Sequence, residues 1–287
     1  MSGAAATRGL VLRTRPSPIS ILVGLGVLLA GWEVGAQLMA ALTAQGDRVM
    51  PSLVTVITEG LRGVGDYWPG GWGVQATSEG GARTVAGALL ALAVNGGITL
   101  LRVAVGLSLA VGLGMGLGLL VSAVRPARLA IGGAAEMMRM LPALAMAPLF
   151  ALWFGATDLA AVLFVVFGVA FIVLVGTTNA VTNLAPHVLE YPRTLGVRGL
   201  NLWLRVVVPA ILPELRGTLV FAGLVAWTSV LAGEMYGLPS GLGWMLNETL
   251  RFSLVDRMVV VAVVFSALAL ATMKLLGALI GRVTRWA

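Results

Sequence analysis

Residues Leu159 to Pro209 read LAAVLFVVFGVAFIVLVGTTNAVTNLAPHVLEYPRTLGVRGLNLWLRVVVP. The first part, Leu159–Pro186, carries no charge. It exceeds the roughly 20 apolar residues that a helix needs to cross a bilayer core of about 30 Å. From Glu190 the composition changes to a basic island holding Arg193, Arg198 and Arg205, closed by Pro209 at the foot of the next apolar run. A membrane protein needs little extramembrane chain to join two spans. An ordered-looking charged segment in that place predicts a docking surface between two membrane helices.

The pattern repeats outward from this stretch. Further uncharged runs occupy Pro16–Trp32, Val103–Val124, Met140–Thr157, Gly217–Gly233 and Met258–Met273. Mean hydropathy is +0.97. Only 11% of the 287 residues are charged, against roughly 25% in soluble domains. The runs predict an all-α polytopic bundle of about six spans, near 18–42, 99–124, 128–153, 158–181, 209–234 and 258–281. Barrel strands would alternate apolar and polar residues in short segments, which these runs do not. The first run, interrupted only by Glu33, is longer than the core of a cleaved signal peptide. With no cysteine and a single histidine, His187, neither a metal centre nor a catalytic residue is predicted. A serine hydrolase is excluded because Ser229 lies in a span and His187 falls on the cytoplasmic side.

Arginine placement sets the topology. With six spans and the N-terminus inside, Arg8, Arg13, Arg15, Arg125, Arg128, Arg193, Arg198, Arg205, Arg216, Arg282 and Arg285 are cytoplasmic. Arg48, Arg62, Arg83, Arg102, Arg251 and Arg257 are outside, giving eleven against six in the sense of the positive-inside rule. The expected organisation is a cytoplasmic tail (1–17) and a transmembrane domain (18–287) with both termini cytoplasmic. Within that domain, 43–98 forms an outer loop. Leu53, Val56, Ile57, Gly60 and Leu61 recur there at helical spacing, predicting an amphipathic helix on the membrane surface. Trp68 and Trp72 suit the interface.

Gly112–Gly118 superficially resembles a nucleotide loop, but it sits inside an apolar run with no preceding strand. Gly106, Ala110, Gly114 and Gly118 instead form a small-residue stripe on which another helix can pack closely. No phosphate-loop motif occurs, and there is no room for a nucleotide-binding domain. This chain therefore carries no cofactor and cannot power pumping by itself.

Charges inside spans are costly and carry a functional expectation. Glu136 and Arg139 share a helical face. They either line a solute path, with Arg139 offering charge to an anion, or neutralise each other. Glu234, closing the fifth span after Trp227 and Thr228, is either a path residue or an interfacial acid. Glu33 is expected to contact a neighbouring helix. Pro142 and Pro148 are expected to kink the third span.

In the island, Pro186 is suited to open a helix, and Leu195–Gly196 to bend the chain into a second one. Leu200, Leu204 and Val207 would be the apolar stripe of that second helix, with Pro209 and Pro213 starting the fifth span. Glu190, Gly196 and Val206-Val207-Val208-Pro209 match the spacing of the EAA loop of binding-protein-dependent ABC importer permeases. Further matches run in order through Met50-Pro51-Ser52, Leu101-Arg102 with Gly106, Arg139-Met-Leu-Pro142, Leu152-Trp153-Phe154-Gly155, Ala226-Trp227, Gly233-Glu234-Met235 and Gly241-Leu242-Gly243. The chain resembles the taurine, alkanesulfonate and nitrate branch of that family over about residues 15–285. It departs from the family pattern at Tyr191-Pro192, where a pair of alanines is usual; Pro192 would start the helix close before itself.

The resemblance implies a type I importer permease in the cell inner membrane. A coupling loop (186–209) would present Glu190, Arg193, Leu195, Gly196, Arg198 and Pro209 to a cytoplasmic ATPase that binds ATP and Mg. A second permease copy would make a homodimer, and an extracytoplasmic solute-binding protein would deliver a small anion or organic acid. Glu136, Arg139, Trp227 and Glu234 are the pathway candidates. An ion-coupled secondary transporter is the alternative, and it would not need the charged island.

Overall fold

The computed structural model describes residues 17–285. The expected tail, with Arg8, Arg13 and Arg15, therefore lies almost wholly outside the described residues. Helix α1 (Pro18–Leu42) opens the fold, with Ser17 accepting from the backbone of Ser20 as its cap. The chain then passes through short helical turns into α2 (Val85–Ala123), of 39 residues. A bent pair follows, α3 (Arg125–Met138) and α4 (Ala143–Phe154), then α5 (Asp158–Thr182), and α6 (Pro186–Thr194). Helix α7 runs from Gly199 to Met235, α8 from Leu242 to Arg251 and α9 from Val255 to Val283. Among the described residues, α1, α2, α5, α7 and α9 are long and apolar enough to cross a membrane, and the bent pair would make a sixth crossing.

Two span expectations need correction. Helix α2 starts at Val85, not near 99, so the helix of the second expected span reaches back into the 43–98 segment. Asn95 and Arg102, which interrupt the hydrophobic pattern, are buried with polar partners instead of marking a helix end. The span expected at 128–153 is not a kinked rod. Its two halves meet at 104°. Proline disfavours α geometry in the residue before it, and Pro142 itself is extended at the head of α4, so the chain turns at Arg139–Pro142. Pro148 is accommodated inside α4.

The centre of the bundle is the seam between α2, α5 and α7, where Val103, Ala110, Val165, Val169, Val173, Ala226 and Val230 pack together. The small-residue stripe makes this approach close. A Cβ on Gly106 would lie 2.7 Å from Val165, and one on Gly114 would lie 2.6 Å from the Ala170 carbonyl. Gly112 and Gly116, on either side of Gly114, would meet nothing within 4 Å. Substituting Gly114 by leucine is expected to abolish folded protein. Gly112→Leu should be recovered at near wild-type level by size-exclusion chromatography in detergent.

Helix α1 is mostly exposed and is held at one point. Trp32 Nε1 donates to the Pro51 carbonyl at 3.0 Å, and Glu33 accepts from the Leu53 amide at 3.0 Å. Glu33 thus caps the helical stretch that begins at Leu53, in keeping with a helix-contacting role. That stretch runs on in short turns to Tyr67, with Val56, Gly60, Gly63 and Val64 buried. It packs on the start of α9 where a Cβ on Gly60 would strike the backbone of Asp256. Trp68, expected at an interface, is buried and donates to the Val74 carbonyl; Trp72 is exposed.

An ion triad locks this layer. Asp66 bridges Arg83 at 2.9 Å and Arg257 at 2.7 Å. Partial burial pushes the Asp66 carboxyl upward, but hydrogen bonding from Arg83 and the charge of Arg257 outweigh it and hold the group below its ordinary value. A lowered folded-state pKa stabilises above the unfolded value of about 3.9, and the contribution disappears as pH falls through the folded value. The thermal midpoint of Asp66→Asn should therefore lie below wild type by a constant margin above about pH 5, with the margin closing below about pH 4.

Candidate functional site

The connector between α5 and α7 is built by its prolines and glycines. Pro186 occupies the first turn of α6, where its missing N–H costs nothing. The helix continues through Pro192 to Thr194, so Pro192 does not set its start as expected. It ends in a paired C-cap, with Gly196 N–H donating to the Arg193 carbonyl at 3.1 Å and Val197 N–H to the Pro192 carbonyl at 3.0 Å. The second bond requires the left-handed φ of +82° at Gly196. Gly199, at φ +59°, turns the chain again into α7.

From Gly199 the helix is continuous to Met235. A π turn at Trp203–Val207, with the Val208 amide donating back to the Trp203 carbonyl, leads into Pro209, which has no amide to offer the ladder. The expected stripe is only partly right. Leu202 and Val207 are the buried residues, Val207 among Ala180, Ile211 and Leu215, whereas Leu200 and Leu204 are exposed. Glu190, Arg193, Leu195, Gly196 and Arg198 are all exposed, beside the exposed Tyr191, and Pro209 is half-buried. The connector therefore presents arginines, a carboxylate and large apolar side chains together on one end of the bundle.

A second assembly is buried. Glu234, fully enclosed at the end of α7, accepts from Arg102 Nη1 at 2.7 Å, from Thr99 Oγ1 at 2.9 Å and from the Gly243 amide at 2.8 Å. Arg102 also donates to Asp158 at the head of α5, at 2.6 Å and 2.8 Å, and to Ser240 Oγ and carbonyl at 2.7 Å and 2.8 Å. Asn95 Oδ1 accepts from the Gly241 amide at 2.8 Å. Gly241 has φ +102°, and any Cβ there would fall on the Glu234 carboxylate. Four elements, α2, α5, α7 and the entry to α8, are tied at this one knot. Arg102, Thr99, Asn95 and Asp158 were not singled out as site residues from sequence. The available signal was that Leu101-Arg102, Gly233-Glu234 and Gly241-Leu242-Gly243 are separate motifs that recur together.

Trp227 is also enclosed. It stacks edge-on against Phe265 at 5.0 Å and donates to Thr272 Oγ1 at 2.9 Å, joining α7 to α9. Glu136 and Arg139 do pair, at 2.6 Å, with both side chains about half exposed. Arg139 stands at the break between α3 and α4, beside a cavity of about 360 Å³ that α5 and α7 also line. The pathway candidates thus separate into a half-open pair at the break and two enclosed residues on α7.

Comparison with known proteins bears on these features. The family described as binding-protein-dependent transport system inner membrane component matches residues 108–285. The aliphatic sulfonates transport permease protein SsuC of Escherichia coli is 31% identical over 133 residues, covering 46% of this chain and 50% of SsuC. The taurine transport system permease protein TauC of the same organism is 28% identical over 152 residues, 53% of this chain and 55% of TauC. An ABC transporter permease protein of Brucella melitensis is 29% identical over 273 residues, 92% of this chain and 98% of that protein. The chain spans about half the length of the SsuC relatives it matches. Among solved structures, the inward-facing MetNI methionine ABC transporter gives a TM-score of 0.55 at 20% identity, over 69% of this chain and 96% of that one.

Proposed function

The chain belongs to the family of binding-protein-dependent transport system inner membrane components, and from that premise we propose that it is the permease subunit of an ATP-driven ABC importer for a small anion or organic acid. The supporting observation is that the second half of the exposed connector, from Gly199 onward, runs without a break into membrane helix α7, with the rest of the connector bent back against its start. A force applied at Glu190, Arg193, Leu195, Gly196 and Arg198 reaches the bundle through a rigid rod, with Pro209 at its entry. The names of the sulfonate and taurine relatives favour an oxyanion as cargo.

In this reading a cytoplasmic ATPase docks on the connector and supplies ATP and Mg chemistry, and this chain is not an enzyme. A second copy of the permease completes the pore, and an extracytoplasmic solute-binding protein delivers the cargo. Both termini lie on the cytoplasmic side. Closure of the ATPase pair pushes α6 and α7, and the pathway alternates between outward and inward openings. Glu136 and Arg139 meet solute at the α3–α4 break. Trp227 and Glu234 act from inside the bundle by fixing α7 to α9 and to α2, so that the rod moves as one piece.

Reconstitution of the chain with its ATPase and solute-binding protein tests this reading. Uptake into proteoliposomes should require hydrolysable ATP and should cease with a non-hydrolysable analogue. Uptake driven by an ion gradient without ATP would replace the importer with a secondary transporter.

A further inference from the structure

We propose that Arg139, Asn179 and Thr218 form a subsite for the oxyanion head of the transported solute, on the connector side of the bundle. The inference rests on the permease reading and gives the cargo a chemistry and a place. The cavity lies between the Arg139 turn, the last turns of α5 and the middle of α7, and holds about 360 Å³.

Its polar lining is donor-rich. A guanidinium carries five N–H groups. Arg139 commits Nε to Glu136 at 2.6 Å, and among the described residues its two Nη atoms have no hydrogen-bond partner. The Asn179 carboxamide and the Thr218 hydroxyl likewise make no side-chain hydrogen bond there. No carboxylate lines the cavity, and Ile172, Val175 and Phe221 supply apolar wall. A planar guanidinium fork with two neutral donors beside it suits an anion with several oxygens. The apolar wall suits a short alkyl tail. A short alkanesulfonate meets both demands, and an alkylammonium cation, with the same tail, fails the first.

Glu136 does not forbid this use. A half-exposed pair of this kind contributes about 0–1 kcal/mol, so an incoming oxyanion competes with the Glu136 carboxylate on near-equal terms. The site is also placed for coupling. Thr218 and Phe221 stand on α7, the same unbroken helix that begins at the connector, whereas Arg139 stands on the separate α3–α4 turn. Displacement of α7 relative to that turn changes the spacing of the donors and thereby releases or captures the anion.

The test is direct binding, without solute-binding protein, to the permease–ATPase complex in lipid nanodiscs. Radiolabelled ethanesulfonate is the probe and ethylammonium the control. Ethanesulfonate should bind and ethylammonium should not. Thr218→Val and Asn179→Leu should each weaken binding by roughly tenfold, as expected for loss of one hydrogen bond to a charged group. Arg139→Gln should abolish binding and Arg139→Lys should restore part of it. Thermal unfolding of each variant checks that it is folded. Failure of the wild type to bind, or equal binding by folded variants, overturns the subsite. Failure of the permease reading shows separately, as absence of ATP-driven uptake by the wild-type complex.

Discussion

Replacing Arg102 by methionine should leave little folded protein in the membrane. The guanidinium is 4% exposed and Glu234 is wholly buried. Removing the cation strands a carboxylate whose remaining partners are the Thr99 hydroxyl and the Gly243 amide. Breaking a buried pair from one side costs about 3–5 kcal/mol, a large fraction of the 5–15 kcal/mol that holds a typical domain together. The same substitution frees Asp158 and Ser240, so α5 and the entry to α8 lose their Arg102 hydrogen bonds to α2. Thermal unfolding in detergent should show a much lower midpoint. The double variant Arg102→Met with Glu234→Gln removes the stranded charge and should recover part of the loss. If the single and double variants are equally unstable, packing and not charge is what Arg102 contributes.

Gly196→Pro should separate folding from coupling. Proline fixes φ near −65°, while Gly196 sits at +82° and uses its amide to close the α6 C-cap. Nothing lies within 4 Å of a Cβ at this position, so the damage is confined to the backbone of the connector. Forcing a residue out of such a conformation involves about 1–3 kcal/mol, which disfavours the native bend by about fivefold to a hundredfold. The variant should reach the membrane at wild-type level and unfold at nearly the wild-type temperature. ATP-driven uptake should fall by at least about tenfold. Normal uptake would mean that the bend at Gly196 transmits nothing.

These two sites differ in how far the sequence discloses them. The connector is local. Pro186 and Pro209 constrain their own backbone and Gly196 frees its own for a left-handed turn, so the helix–bend–helix form follows from residue identity. What composition could not reveal was which leucines face inward. Leu202 and Val207 are buried while Leu200 and Leu204 are exposed, because the π turn at Trp203–Val207 shifts the helical phase. The buried knot is non-local. Arg102 and Glu234 are 132 positions apart, and Asn95 and Gly241 are 146 apart. No periodicity connects such residues; only the recurrence of their motifs hinted that they belong together.

The same physics explains the misplaced span limits. A polar residue in an apolar run reads as the end of a helix until its partners are known. Asn95 and Arg102 find theirs in distant parts of the chain, so α2 begins well before both. At Pro142 the local signal was correct in kind and too small in size. A proline at a helix start permits a full change of direction once the residues before it leave the α region.

Purifying this protein from native membranes in a mild detergent and identifying what accompanies it decides whether the connector is the dock for an ATPase. A cytoplasmic ATPase should co-purify in roughly equal amount, and a Glu190→Arg variant, with its exposed carboxylate reversed, should lose it while remaining folded. Recovery of the intact chain without any ATPase would contradict the account.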